Sequence, residues 1–261
     1  MATETLDRQH ASAPSEGSDG AASDGTPRLS IVIPAHNEAR ELPATLASLH
    51  RQSETSIEII VVDNASTDET SEIAEEAGVR LVQEPRKGTA YAREAGFCAA
   101  GASVVASTDA DARVPTDWAR RILDAFDETE DLAALFGPFC YEAGTAPTDF
   151  ANRLLPAVSW FVRNAIRMTW LCGRTFFAGS NFAVRKDCFY AVDGFRSDAT
   201  GEMYSAWEDV QLGLKLHEVG DVRYLHDLVV MTSARDLESI WGELTKAARR
   251  ARKIHLERQS M

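Results

Sequence analysis

Five polar clusters stand out along this 261-residue chain: Pro34-Ala-His-Asn-Glu38, Asp63-Asn64, Lys87-Gly88 with Arg93, Asp109-Ala-Asp111, and Glu208-Asp209. Carboxylates dominate them. A bare carboxylate cluster repels phosphate. Around Mg2+ or Mn2+ it becomes a phosphate site, because such ions sit between one or two carboxylates and the phosphate oxygens of a substrate. Taken alone, Asp109-Ala-Asp111 reads equally as an Asx turn with solvated acids. Several other chemistries lack their patterns: there is no GxGxxG, no GxxxxGK[ST], no HExxH and no Gly-x-Ser-x-Gly.

The apolar pattern predicts the elements that must position these groups. Residues 29–33, 57–62, 79–82 and 103–107 are short, mostly β-branched runs, the mark of buried strands. Leu42, Leu46 and Leu49 fall at i, i+4 and i+7, predicting a helix over 39–52. Ser66 with Glu69 predicts a capping box for the next helix, which Gly78 ends. An Ala-rich helix opens at Lys87-Gly88 and closes at Gly101. Strands alternating with helices predict an α/β fold with a mostly parallel central sheet flanked by helices. Ligands of such sheets bind beyond the carboxyl ends of the strands, where the first four clusters fall. Later, strands are predicted at 132–136, 181–184 and 228–231, and helices at 208–219 and around Trp118, Ile122, Leu123 and Phe126. The aromatic-rich stretch 147–178 should add helices and loops.

Composition narrows the function classes. The chain is 44% hydrophobic and 26% charged, a globular mix rather than a fibrous or wholly disordered one. A net charge of −13 argues against a nucleic-acid partner. The excess is uneven: 1–235 hold 36 acids and 21 bases, whereas 236–261 hold 4 acids and 6 bases. Residues 1–27 carry almost no large apolar side chain and are expected to be a flexible tail. Residues 236–261 are expected to form a terminal basic helix, either solvated or a foothold on an anionic membrane, with Trp160, Phe161, Trp170, Phe176 and Phe177 as apolar helpers or core. Cys98, Cys140, Cys172 and Cys188 form no CxxC pair and read as buried free thiols of a reducing cytoplasm. No secretory signal is recognised, and the longest uncharged apolar stretch, 154–162, is nine residues; a membrane span needs about 20.

With its clusters in this order, the chain resembles the family 2 glycosyltransferases of GT-A fold. The resemblance is carried by Ile31-Val-Ile-Pro-Ala-His-Asn-Glu38, Val61-Val-Asp-Asn-Ala-Ser-Thr-Asp68, Lys87-Gly88 with Ala92-Arg93, Asp109-Ala-Asp111, Gly179-Ser-Asn-Phe-Ala-Val184 before Gly194-Phe195, and Glu208-Asp209. It covers 28–235 and implies one Rossmann-like domain, 28–114 being the nucleotide-sugar half and 115–235 the acceptor-side half. It implies that Pro34, His36 and Glu38 line the base and ribose, that Asp63 accepts a hydrogen bond from the base, and that Lys87, Gly88 and Arg93 contact the nucleotide. Asp109 is implied near the ribose or donor sugar. Asp111 is the implied ligand of Mg2+ or Mn2+, with Asp109 and His226 as further ligands. Asp209 is the implied general base, kept ionised by a helix N-terminus, and Glu208 shapes the acceptor side.

The implied reaction moves one sugar from a UDP- or GDP-linked donor to a hydroxyl of a glycan, a lipid-linked or a small-molecule acceptor, with inversion. One base is enough because a metal-neutralised diphosphate leaves unaided, whereas a glycosidase needs a matched acid and base. Glu94 departs from the family, which often has Asn there, and the Q-x-x-R-W motif of processive synthases is missing. Two rival readings are a sugar nucleotidyltransferase and a non-catalytic nucleotide-sugar-binding protein. The first expects a Gly-rich first loop, which here is Pro34-Ala-His-Asn-Glu-Ala39; the second expects lost carboxylates, yet Asp63, Asp109, Asp111 and Asp209 are present.

Overall fold

The computed structural model describes residues 26–172, 177–196, 203 and 208–235. The tail expected over 1–27 falls outside them except for Thr26 and Pro27, as do Phe176 and the helix expected over 236–261. Strands β1 (Leu29–Ala35), β2 (Ile57–Asp63), β3 (Arg80–Gln83) and β4 (Val104–Ser107) form a parallel block in the order β3-β2-β1-β4. Helices α1 (Leu42–Leu49), α2 (Thr70–Glu76) and α3 (Thr89–Ala99) connect them.

Beyond β4 the short strand β5 (Ala112–Arg113), helix α4 (Trp118–Glu128), β6 (Leu132–Phe136), β7 (Phe139–Tyr141) and helix α5 (Asp149–Leu171) follow. The chain then runs through β8 (Phe182–Arg185), α6 (Lys186–Ala191), α7 (Glu208–Leu216), β9 (Asp221–Tyr224) and β10 (Val230–Thr232). β8 lies antiparallel between β4 and β6, and β9 completes a seven-stranded sheet that is otherwise parallel. A second sheet, in the order β5-β10-β7, stands beside it. β5 and β7, at two and three residues, are too short to leave a period in the sequence.

Both faces of the large sheet are covered, so its strands read as continuous apolar runs. Leu29, Ile31 and Ile33 pack with Leu42, Leu46, Trp118 and Ile122 on one face. Val32, Ile60 and Val62 pack with Phe97, Phe136, Phe182 and Phe189 on the other. Asn181, fully buried, ties the layers: its amide nitrogen donates to the Pro138 and Leu228 carbonyls at 2.9 and 2.6 Å, and its oxygen accepts from the Trp118 indole at 2.9 Å.

Several local expectations are corrected. α1 covers 42–49 rather than 39–52, because the backbone N–H groups of Glu38 and Ala39 donate to Thr70 and Asp68 instead of starting a helix. No capping box forms: the Ser66 hydroxyl accepts from Asn37, and the Asp68 carboxylate accepts from the Thr70 N–H. The aromatic stretch 147–178 is mostly the single 23-residue helix α5, capped by the Thr148 hydroxyl. The four thiols are free, but none is buried: Cys98 and Cys172 are exposed, and Cys140 and Cys188 are half-buried.

Helix α3 rides close on the sheet because Gly96 has no side chain: a Cβ there would come within 2.3 Å of Val32 Cγ1 and 3.0 Å of Val62 Cγ2. Gly96→Ala is therefore expected to lower stability by about 1–3 kcal/mol through overpacking. Urea unfolding should show a lower midpoint with an unchanged slope; an unaltered midpoint would refute the close approach.

Candidate active site

Parallel register aligns the strand ends. Ala35 of β1 lies opposite Asp63 of β2, and Val32 lies opposite Ser107 of β4. The loops after β1 and β2 are joined by hydrogen bonds. Asn37, at a φ of 56°, donates its N–H to Ser66 Oγ at 3.0 Å, and its Oδ1 accepts from Thr67 N at 2.8 Å. His36 Nδ1 meets the Asn64 carbonyl at 2.8 Å. The Asn64 side chain pins the 84–88 loop: its amide donates to the Glu84 and Arg86 carbonyls, and its oxygen accepts from Gly88 N at 2.8 Å.

A cleft of about 270 Å³ opens among these loops. Pro34, His36, Glu38, Asn64, Asp109, Asp111 and Arg235 line it. Arg235, just after β10, pairs with Glu38 across it. Asp111 accepts a hydrogen bond from the Thr232 hydroxyl at 3.1 Å. Burial and the neighbouring Asp109 charge push Asp111 up to about 6, with Glu38 adding to the repulsion and Arg235 opposing it. A larger cavity of about 630 Å³ lies beside Ile57 and Arg80, at the opposite ends of the strands, and gathers none of the five clusters.

Beneath the cleft lies Arg93, 3% exposed. Its Nη2 donates to Asp109 Oδ1 at 2.9 Å, its Nη1 to Glu208 Oε1 at 2.5 Å, and its Nε to Ser107 Oγ at 3.3 Å. Gly179 makes room for it, since a Cβ there would stand 2.0 Å from Nη2. Burial raises the proton affinity of Asp109 against the pull of Arg93. Asp209, at the start of α7, is likewise raised by burial, with Arg93 pulling down and Glu208 pushing up. At the helix start the Val210 N–H donates to Asp209 Oδ1 at 2.8 Å and works with Arg93 against the effect of burial. A carboxylate of raised proton affinity is the better proton acceptor near neutral pH.

Other expected site residues lie elsewhere. Asp63 is buried off the cleft lining; burial raises its carboxyl, but hydrogen bonds from Ser66 and Ser71 hold it below the ordinary range. Lys87 is exposed, while Arg86 pairs with Glu84 at 2.7 Å and covers the Tyr91 ring. Glu94 accepts from Phe195 N and steadies the 193–196 turn. His226 is not brought to Asp111. It is 77% exposed beside Asp227 and lines a different cavity, against α5.

Asn64 and Arg235 are the site residues that sequence reasoning undervalued: Asn64 acts through backbone groups, and Arg235 is a single base after the last strand. Among the described residues no group of three His, Cys, Asp or Glu side chains is placed to hold a metal. The cleft offers two aspartates, an oxygen-only donor set that suits a hard cation completing its shell with water and phosphate.

Two outcomes follow from this electrostatics. Arg93→Met, which strands two buried carboxylates, is expected to lower stability by about 3–5 kcal/mol. Arg93→Lys should recover only part of it, because one ammonium cannot reproduce the fork; wild-type urea unfolding of Arg93→Met would contradict the bridge. For Asp111 the folded carboxyl titrates at about 6 against an ordinary 3.8. The folded state therefore binds the extra proton between those values, and stability is lost as pH rises through that window. Asp111→Asn should melt higher than the native chain at pH 7.5 and lose that advantage below about pH 4. Melting curves across pH check this, and a lower melt of Asp111→Asn at pH 7.5 would refute it.

Residues 30–193 match the family model described as "Glycosyl transferase family 2". An uncharacterized glycosyltransferase of Mycobacterium tuberculosis (strain ATCC 25618 / H37Rv) is 31% identical over 148 residues, 54% of this chain and 62% of that protein. Among solved structures, a mannosyltransferase from Pyrobaculum calidifontis in complex with GDP-Man and Mn2+ superposes with a TM-score of 0.58 at 23% identity, over 81% of this chain and 59% of that one. Glucosyl-3-phosphoglycerate synthase from Mycobacterium tuberculosis, in complex with Mn2+, UDP and phosphoglyceric acid, gives a TM-score of 0.58 at 18% identity, over 82% and 73%. The chain spans about three fifths of the length of the first two proteins. The fold is that of the GT-A glycosyltransferases, and with the family model matched from β1 through the turn after α6, the chain belongs to glycosyl transferase family 2.

Proposed function

We propose that this protein is a divalent-metal-dependent glycosyltransferase that moves one sugar from a nucleoside-diphosphate sugar to an acceptor hydroxyl, with inversion. The observation that carries the reading is the Arg93 bridge. It ties Asp109 to Glu208 and so draws the cleft acids and Asp209 into one electrostatic cluster. The GDP-Man and UDP bound by the related structures support a GDP- or UDP-linked donor, and the Mn2+ in both supports Mg2+ or Mn2+ here.

The nucleotide lies over the ends of β1 and β2, with Pro34 and His36 against base and ribose. Asp111 and Asp109 would hold the cation, and Arg235 supplies positive charge to the diphosphate from the cleft wall. Bound there, Mg2+ or Mn2+ would neutralise the diphosphate enough for it to leave without a general acid. Asp209 takes the proton of the acceptor hydroxyl. The hydroxyl oxygen bonds to the anomeric carbon opposite the diphosphate, whose C–O bond breaks with its electron pair, inverting that centre. Glu208 shapes the acceptor side from the other end of the Arg93 bridge. On this reading the enzyme works in the cytoplasm at the inner membrane face, drawn by the six bases of 246–258. Among the described residues, no helix is long and apolar enough to cross a membrane.

Thermal shift with GDP- and UDP-sugars plus Mn2+ tests the donor site. A sugar nucleotide at about 100 times its Kd should stabilise by about 2.7 kcal/mol, a rise of several degrees. Asp209→Asn should keep that shift while turnover falls about 10²–10⁴-fold. No shift with any sugar nucleotide would refute the donor site, and lost donor binding in a folded Asp209→Asn would refute its role as base.

A further inference from the structure

Among the described residues two cations are buried, Arg93 and Lys215, 3% and 7% exposed. The glycosyl-transfer reading uses the first and leaves the second without a task. Lys215 falls on α7 three residues after the buried Leu212 and next to the buried Leu216, where the helical pattern calls for an apolar side chain. An ammonium taken out of water is unfavourable unless its N–H groups are met. Here Nζ donates to the Gly194 carbonyl at 3.2 Å and to the Arg196 carbonyl at 2.9 Å.

Those carbonyls belong to a tightly built turn. Asp193 and Gly194 both have a φ of 54°. Gly194 N donates to the Phe189 carbonyl at 3.0 Å, and Phe195 is fully buried. Helix α3 holds the same turn through Glu94, whose Oε2 accepts from Phe195 N at 3.3 Å and whose Oε1 lies 3.8 Å from Arg196 Nε. A Cβ at Gly194 would stand 2.6 Å from that Oε2, so the turn rests directly on the carboxylate. Burial raises Glu94, while the Phe195 N–H, Arg196 and Lys215 pull it back and Asp193 pushes it up.

Helices α3 and α7 are thus tied twice. Arg93 reaches from α3 to Glu208, and Lys215 reaches from α7 to the turn that Glu94 holds. Glu208 and Lys215 are seven residues apart, two turns along one face of α7 and about 10 Å along its axis. Leu212 and Leu216 bury the helix in the core beside Phe177, but apolar burial has no direction. Hydrogen bonds at both ends of one face set the rotation and the height of the helix. Asp209 follows Glu208 directly, so its place relative to Asp109 depends on both ties.

We propose that Lys215 is a positioning residue for glycosyl transfer: from the far end of α7 it locks the helix against the Glu94-held turn and so fixes where Asp209 meets the acceptor hydroxyl. This role rests on the transfer reading, whereas the tie between α7 and the turn does not.

Lys215→Met keeps the stem and removes the ammonium. With GDP-mannose or UDP-N-acetylglucosamine, Mn2+ and water as the acceptor, release of the nucleoside diphosphate should fall about 10–100-fold in kcat, the cost of a reacting group misplaced by about 1 Å. The donor KM and the donor-induced melting shift should be kept, which also shows that the variant is folded. Lys215→Arg, which restores a cation with N–H donors, should recover part of the kcat, and Glu94→Gln should lower it by less than Lys215→Met. Amide exchange over 208–216 should quicken about tenfold in Lys215→Met while 89–99 keeps its native rates. Native exchange over 208–216, or native kcat in Lys215→Met, would overturn the inference. So would a joint loss of donor shift and kcat that Lys215→Arg does not relieve, since that is the mark of a merely structural residue. No donor shift in the native chain, with the exchange difference intact, would instead sink the transfer reading and leave the tie as structure alone.

Discussion

Arg93 has almost no contact with solvent, and carboxylates from two remote parts of the chain close on it. A cation taken out of water is unfavourable unless its charge and its N–H groups are met by well-placed partners. That demand organises the molecule. Asp109 comes from the end of β4, and Glu208 from the start of α7, 115 residues further along than Arg93. Gly96 lets α3 sit close to the sheet, Gly179 clears space for the guanidinium, and Ser107 takes the remaining Nε. Helices α3 and α7, far apart along the chain, are therefore joined by charge beneath the cleft.

The same burial sorts the acids into two kinds. Asp63 is held below the ordinary range by donors from Ser66 and Ser71, even though burial works the other way. Asp109, Asp111 and Asp209 are raised, because burial and their mutual repulsion exceed what Arg93 and Arg235 return. One acid is a settled structural anion, while the others favour any added positive charge. The overall charge of −13 conceals this difference.

Much of this was legible in the sequence. The β-branched runs at β1, β2 and β4 declared a two-sided sheet, and the clusters after them marked its working edge. Among the described strands of the large sheet, the one that was missed is β9, whose Asp221-Val-Arg-Tyr224 mixes charge with apolar side chains. Arg93 was read as a contact for the nucleotide, since nothing in a local window says that a helical arginine will meet Glu208. His226 was read as a ligand because its place in the chain suited one, but the β9–β10 connection carries it to the α5 side. Sequence spacing reports neighbours along an element. It is silent on which distant charges fold together.

The hydrogen bonds that join the loop after β1 to the loop after β2 bear on how such enzymes can be recombined. Asn37, Glu38 and Ala39 are bound to Ser66, Thr70 and Asp68, and His36 to the carbonyl of Asn64, whose side chain holds the 84–88 loop. The three loops are thus one module with no internal seam. A chimera exchanging one of them with a relative would import half of a matched set, whereas exchanging all three together would carry the edge of the cleft across intact.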